Sequence, residues 1–227
     1  MSHTIKSKSV YTHPLLVRLL HWTNALAILV MVLSGWRIYN ASPLFDFSFP
    51  RWLTLGGWLA GALQWHFAMM WLLIINNSVY LAYGVVTGHF RKKFFPVSKS
   101  QLRTDLKQAL TCKLRHMPGA YNALQRSLYI SAVFLIIVLV VSGLSTWKPV
   151  QLHGLAWFLG DYEGARLVHF FAMALLMFFV AIHVAMALLV PKTLLSMFTG
   201  KVVTVATTPP LQLTYVEIPS TEAGDAL

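Results

Sequence analysis

Charged residues punctuate the chain and leave long apolar stretches between them. Arg18 and Arg37 bracket Leu19 to Trp36, a run without Asp, Glu, Lys or Arg. Arg51 and Arg91 bracket Trp52 to Phe90, Arg126 and Lys148 bracket Ser127 to Trp147, and Arg166 and Lys192 bracket Leu167 to Pro191. As a helix, each run is long enough to cross a hydrocarbon core, which takes ~20 residues. The second has residues to spare for tilt or an interfacial extension. Open strands cannot replace these helices, because their backbone N–H and C=O groups would lie unpaired in lipid. The pattern predicts an all-α, integral membrane four-helix bundle.

Composition supports lipid as the solvent. Of 227 residues, 57% are hydrophobic and 11% charged, too few charges to cover a soluble domain of this size. No cleavable signal peptide is expected: the first apolar run is too long and lacks a small-residue cleavage site. The net charge of +11 would suit a nucleic-acid partner. The basic residues flank apolar spans instead, so lipid is the expected partner and nucleic acid is not. Of the 18 Lys and Arg, only Arg37, Arg51, Lys148 and Arg166 fall on one side of the predicted spans. The other side, with both termini, is therefore expected to be cytoplasmic in a bacterial inner membrane. Trp36, Trp52, Trp58, Trp147 and Trp157 cluster at the expected outer boundary as an aromatic belt.

This reading divides the chain into three. Residues 1–14 form a cytoplasmic segment. Residues 15–200 form the transmembrane domain, with a basic cytoplasmic loop over 88–126. Residues 201–227 form a Thr/Pro-rich, then acidic tail expected to be disordered. Arg91, Lys92 and Lys93 open the basic loop, which either lies on anionic lipid or serves only as a topology determinant. Cys112 is the single cysteine. It excludes an internal disulfide, and the chain has no C-x-x-C-H motif for covalent haem attachment.

An internal repeat runs through the spans. Arg18 stands to Gly35 as Arg126 stands to Gly143, and a serine, Ser34 or Ser142, precedes each glycine. His66-Phe67 opens the second span as His169-Phe170 opens the fourth. Small residues also recur in membrane helices simply for packing. Read as a parallel duplication of a two-helix hairpin, the halves are related by an axis along the membrane normal. Tyr129 then matches His21, and Tyr80 matches His183.

Four of the nine histidines, His21, His66, His169 and His183, lie within the spans, where ionisable residues are costly and mark function. Chain direction sets their depth. His21 and His183 lie near the inner face, His66 and His169 near the outer. His169 and His183 are separated by 14 residues, about 21 Å of helical rise and close to four turns, so they share one side of the helix. Depth pairs His21 with His183 and His66 with His169. Imidazole suits iron as an axial ligand, and two non-covalent bis-histidine b haems are expected, one near each face. Gly35, Gly61 and Gly143 either admit a macrocycle or pack helices. Arg18, Arg37 and Arg166 either pair with haem propionates or mark the ends of spans. Asn76 and Asn77 contact either a quinone or, with better precedent, a neighbouring helix. His3, His13, His89, His116 and His153 fall outside the spans and are read as loop residues.

His21-Trp22, His66, and the pair His169 and His183 together resemble the bacterial di-haem cytochrome b family, of the cytochrome b561 and nickel–iron hydrogenase type, over about Thr12 to Gly200. In form the chain is most similar to thiosulfate reductase cytochrome b subunits. The resemblance implies haem ligation by these four histidines. It also implies electron exchange between quinone and a partner outside the membrane, a periplasmic molybdenum or nickel–iron enzyme. Two other functions fit the residues: a stand-alone quinone-linked oxidoreductase acting on a small diffusing oxidant, and a haem-free proton or metal transporter.

Overall fold

A computed structural model describes residues 7–11, 14–88, 98–111, 123–189 and 191–205. Its elements, in chain order, are β1 (Ser7–Tyr11), α1 (Leu15–Ala41), a 3-10 turn (Arg51–Leu53), α2 (Leu59–Val86), α3 (Lys99–Leu110), α4 (Ala123–Trp147), α5 (His153–Phe158), α6 (Asp161–Leu189), α7 (Pro191–Thr199) and β2 (Lys201–Val205). Four of these, α1, α2, α4 and α6, are long and apolar enough to cross a membrane. The chain is a multi-pass membrane protein. Ile75, Phe134 and Phe178 are 60%, 63% and 67% exposed on its outside, a surface that lipid tolerates and water does not.

The helices pack as two hairpins, α1 along α2 and α4 along α6. Small side chains make these seams. Ala27, Ser34, Ala62, Ser142, Ser145 and Ala165 are all fully buried, as expected where backbones approach closely without a hydrophobic drive between helices. A polar clasp adds to the first seam. Asn76 donates to the Leu20 carbonyl (2.8 Å) and to Asn24 Oδ1 (2.7 Å), and Asn77 exchanges bonds with Asn24 at 3.2 and 3.3 Å. Asn76 and Asn77 thus join neighbouring helices, and Asn24 is the partner that apolar pattern alone does not reveal.

The ends of the spans differ from the charge boundaries. Helix α1 runs past Arg37 to Ala41, and α6 starts at Asp161, ahead of Arg166. A charge within a turn of a helix end reaches the interface by its own length, so it does not mark where helix begins. The surplus of the second run, before Leu59, is an interfacial entry containing the 3-10 turn. There Gly61 lies against the Gly56 carbonyl and the Trp58 ring, and Gly164 lies against the Leu159 carbonyl. Gly61 therefore serves the tight entry into α2 and not a cofactor cleft, and Gly164 repeats it in the second half.

The two chain ends meet. β1 and β2 pair antiparallel, Ser7 opposite Val205 and Tyr11 opposite Lys201. The all-helical expectation missed this small sheet, and the segment expected to be disordered begins with its second strand. Val202, Val203, Thr204 and Val205 carry the β-branched signal, but the partner lies at the other end of the chain. The rest of that tail, 206–227, the cluster Arg91, Lys92 and Lys93, and His3, His13, His89 and His116 lie outside the described residues. Within the basic loop, α3 is joined to α4 by Asp105, whose carboxylate accepts from the Ala123 N–H at 2.8 Å.

Candidate functional site: two facing histidine pairs

The two hairpins face each other, and the four span histidines meet between them in two pairs. At the end of the bundle that carries β1, β2 and α7, His21 on α1 faces His183 on α6, with ring centroids 6.0 Å apart. At the opposite end, His66 on α2 faces His169 on α6 at 6.4 Å. These are the pairs that depth selects from the sequence. Both pairs draw on α6, whose two histidines sit four turns apart.

The distal pair is built twice over by the repeat. The Nδ1 of His66 lies 3.1 Å from the Met31 carbonyl and 3.2 Å from the Ser34 hydroxyl. The Nδ1 of His169 lies 3.1 Å from the Leu139 carbonyl and 3.1 Å from the Ser142 hydroxyl. Each hydroxyl is itself held by a carbonyl one turn back, Val30 for Ser34 at 2.7 Å and Val138 for Ser142 at 2.6 Å. A carbonyl only accepts, so Nδ1 carries the proton in both rings and Nε2 keeps a lone pair. The adjoining glycines make room. A Cβ on Gly35 would stand 3.4 Å from His66 Cε1, and one on Gly143 would stand 3.1 Å from His169 Cε1. The serine–glycine pairs noted in the sequence are thus histidine cradles. Each serine's role could have been inferred from its place beside a repeated glycine and opposite a repeated histidine.

The other pair lacks this symmetry. His183 stacks on Phe179 at 6.0 Å and 15°, and His21 meets the edge of Trp22 at 5.4 Å. Trp22 in turn donates to the Met197 carbonyl at 3.3 Å and packs on Phe198 at 4.5 Å, fastening α7 against α1.

The three arginines are placed differently from one another. Arg18 donates to the carbonyls of Met197 and Phe198, where a cation meets the exposed carbonyls of a helix C-terminus. Arg166 bonds Ser42 (2.6 Å to its carbonyl) and pairs with Glu163 at 3.2 Å, tying the start of α6 to the end of α1. Arg37 lies two residues before Tyr39, whose ring meets Phe170 of α6 at 5.4 Å. That spacing puts Arg37 on the opposite side of α1 from α6. Above the distal pair, Phe45, Phe47 and Phe49 fold over Tyr39 and Phe170. Asn40 holds this cap by two 2.8 Å bonds to the backbone of Phe49.

Two comparisons with known proteins bear on this site. Residues 12–200 match the family model for prokaryotic cytochrome b561. A protein of Azospira oryzae, provisionally named as the protein-methionine-sulfoxide reductase subunit YedZ1, is 51% identical over 196 residues, 86% of this chain and 99% of the relative.

Proposed function

We propose that this chain, which belongs to the prokaryotic cytochrome b561 family and so is a b-type haem protein, relays electrons across the membrane on two haems. The observation that carries this reading is the pair of facing imidazole couples at opposite ends of the bundle. A metal held by two imidazole nitrogens at about 2 Å each would leave the ring centroids about 6 Å apart, and the separations here are 6.0 and 6.4 Å. His21 with His183, and His66 with His169, would hold the two haems. A bound b haem supplies reversible one-electron chemistry at a potential set by its ligands and surroundings. The chain supplies the setting. The Met31 and Leu139 carbonyls and the Ser34 and Ser142 hydroxyls orient the distal rings and raise their basicity at Nε2. Arg18, Arg37 and Arg166 are less suited to hold propionates than their sequence positions suggest, because Arg18 and Arg166 already bond protein groups and Arg37 faces away from α6.

A bare-metal transporter fits less well. Among the described residues no group of three or more His, Cys, Asp or Glu could hold an ion, and a metal without a macrocycle needs at least three protein ligands. An axially ligated haem needs only two.

The partner follows from chemistry and likeness. The relative's name supports delivery of electrons to a reductase subunit that acts on oxidised methionine in proteins. Reducing a sulfoxide to a thioether consumes two electrons and two protons and releases water. That oxygen-atom removal favours a molybdenum enzyme over a nickel–iron one. The asymmetry of Lys and Arg puts the termini in the cytoplasm of a bacterial inner membrane, so the distal pair faces a periplasmic partner and quinol is the proposed donor. The test is a spectrum of the purified protein, reduced minus oxidised. Bands of a bis-histidine b haem, formed on adding a quinol, support the relay. A protein that binds no haem refutes it and returns the transporter reading; a haem protein that turns over a small oxidant with no partner returns the stand-alone enzyme.

A further inference from the structure

One buried donor at the distal end has no acceptor in the protein. The ring of Trp36, near the outer end of α1, stacks on Phe49 of the aromatic cap at 4.6 Å and 9°. Among the described residues, its Nε1 is closed off from the surface and makes no hydrogen bond. An indole N–H can only donate. Buried tryptophans usually find a partner for it, because an unmet donor in a dry place is costly. The ring of Phe49 offers no acceptor, and the Phe49 carbonyl accepts from Asn40 at 2.8 Å. Lipid headgroups do not reach an atom without exposed surface. A water would need further polar partners beside the indole, and the ring stacked on it supplies none.

Position ties this donor to the distal histidine pair. Trp36 directly follows Gly35, where a Cβ would stand 3.4 Å from Cε1 of His66. One residue is about 1.5 Å of rise, so Trp36 leaves α1 at the depth of that imidazole. Tyr39, three residues on, meets Phe170 of α6, the neighbour of His169. Three residues turn a helix by about 300°, which sets Trp36 within about 60° of the side of α1 that faces α6.

The repeat singles the indole out. As Trp36 follows Gly35, Leu144 follows Gly143. The cradle serines, glycines and carbonyls come twice, and the indole comes once. An apolar side chain suffices at this place in the second half, so the frame itself does not call for a donor. A b haem is lopsided in the same sense, since both its propionate carboxylates leave one edge of the ring. Donors for them belong in one half of a twofold frame. The arginines do not fill that need, because Arg18 and Arg166 bond protein groups and Arg37 faces away from α6. We infer that the Trp36 indole N–H donates a hydrogen bond to a propionate of the haem held between His66 and His169. This deepens the relay proposed above and rests on it. An N–H···O⁻ bond is stronger than a neutral one. It fixes which edge of the haem faces α1, and by offsetting negative charge near the iron it favours the reduced state.

Trp36→Phe keeps a ring against Phe49 and removes the donor. The distal haem is identified as the spectral component missing from His169→Ala. In purified Trp36→Phe, its midpoint potential is expected to fall, and its transfer to apomyoglobin to run about tenfold faster. The other component stays as in the parent. Reconstitution with haem dimethyl ester, whose carboxylates are blocked, separates this contact from mere packing: the difference between parent and Trp36→Phe should then largely vanish. A distal potential and release rate unchanged by Trp36→Phe overturn the assignment, as does a difference that persists in full with the ester. Should Trp36→Phe not fold, the unaltered protein decides. Distal dimethyl-ester haem released faster than the native distal haem supports the contact, and equal release overturns it. A parent protein without haem refutes the relay itself, a separate outcome.

Discussion

The histidine cradles show how finely single residues tune this protein. Gly35 and Gly143 hold equivalent places, yet an added Cβ would sit at 3.4 Å from one imidazole and 3.1 Å from the other. The first is ordinary contact. The second forces His169 to move, and its Nδ1 is pinned to the Leu139 carbonyl and Ser142. Gly35→Ala is expected to keep its distal haem with little change, while Gly143→Ala loses a substantial fraction of it. Haem content and the reduced spectrum of the two variants check this, and equal loss from both would contradict it. At this scale the sequence displayed the ionisable groups but not their supports. A histidine in a span is conspicuous because lipid penalises it. The carbonyls of Met31 and Leu139 belong to apolar residues and have no signature. Ser34 and Ser142 were visible only as companions of glycine.

Among the elements, the long apolar helices were legible because their composition leaves no other solution in lipid. Short elements were not. The sheet of β1 and β2 joins segments from opposite ends of the chain, and α7 owes its place to Arg18 and Trp22 in α1, far away in sequence. The hairpin of α1 and α2 depends on the asparagine clasp. Asn76→Leu keeps the number of side-chain heavy atoms but removes the bonds to the Leu20 carbonyl and Asn24. It should weaken the seam by about 1 kcal/mol, in the range measured for hydrogen bonds between membrane helices. Thermal unfolding in detergent is expected to shift to lower temperature, and an unshifted midpoint would mean that the small-residue packing alone holds the hairpin.

Over the whole molecule, the two halves match at the distal end, where each histidine cradle has its counterpart, and differ at the terminal end, where His21 and His183 face each other. The repeat was legible in the sequence as Arg18 and Gly35 against Arg126 and Gly143. Its meaning emerged only when the paired contacts proved identical. Topology decides which pair meets which partner. With 14 of 18 Lys and Arg on the side of the termini, that side is expected in the cytoplasm. Cys112, the single cysteine, lies outside the described residues but within the basic loop. In intact cells it should resist a membrane-impermeant thiol reagent and react once the membrane is opened. Labelling in intact cells would reverse the orientation and exchange the partners of the two histidine pairs.

In the proposed relay, His21 with His183 and His66 with His169 hold one haem each. The most direct measurement is haem per polypeptide in the purified parent, in His169→Ala and in His183→Ala. Two haems are expected in the parent and about half of that in each variant, because each substitution leaves one histidine in one pair and the other pair untouched. Loss of different spectral components in the two variants should accompany the halving. Two haems retained in His183→Ala, or a single haem in the parent, would contradict it.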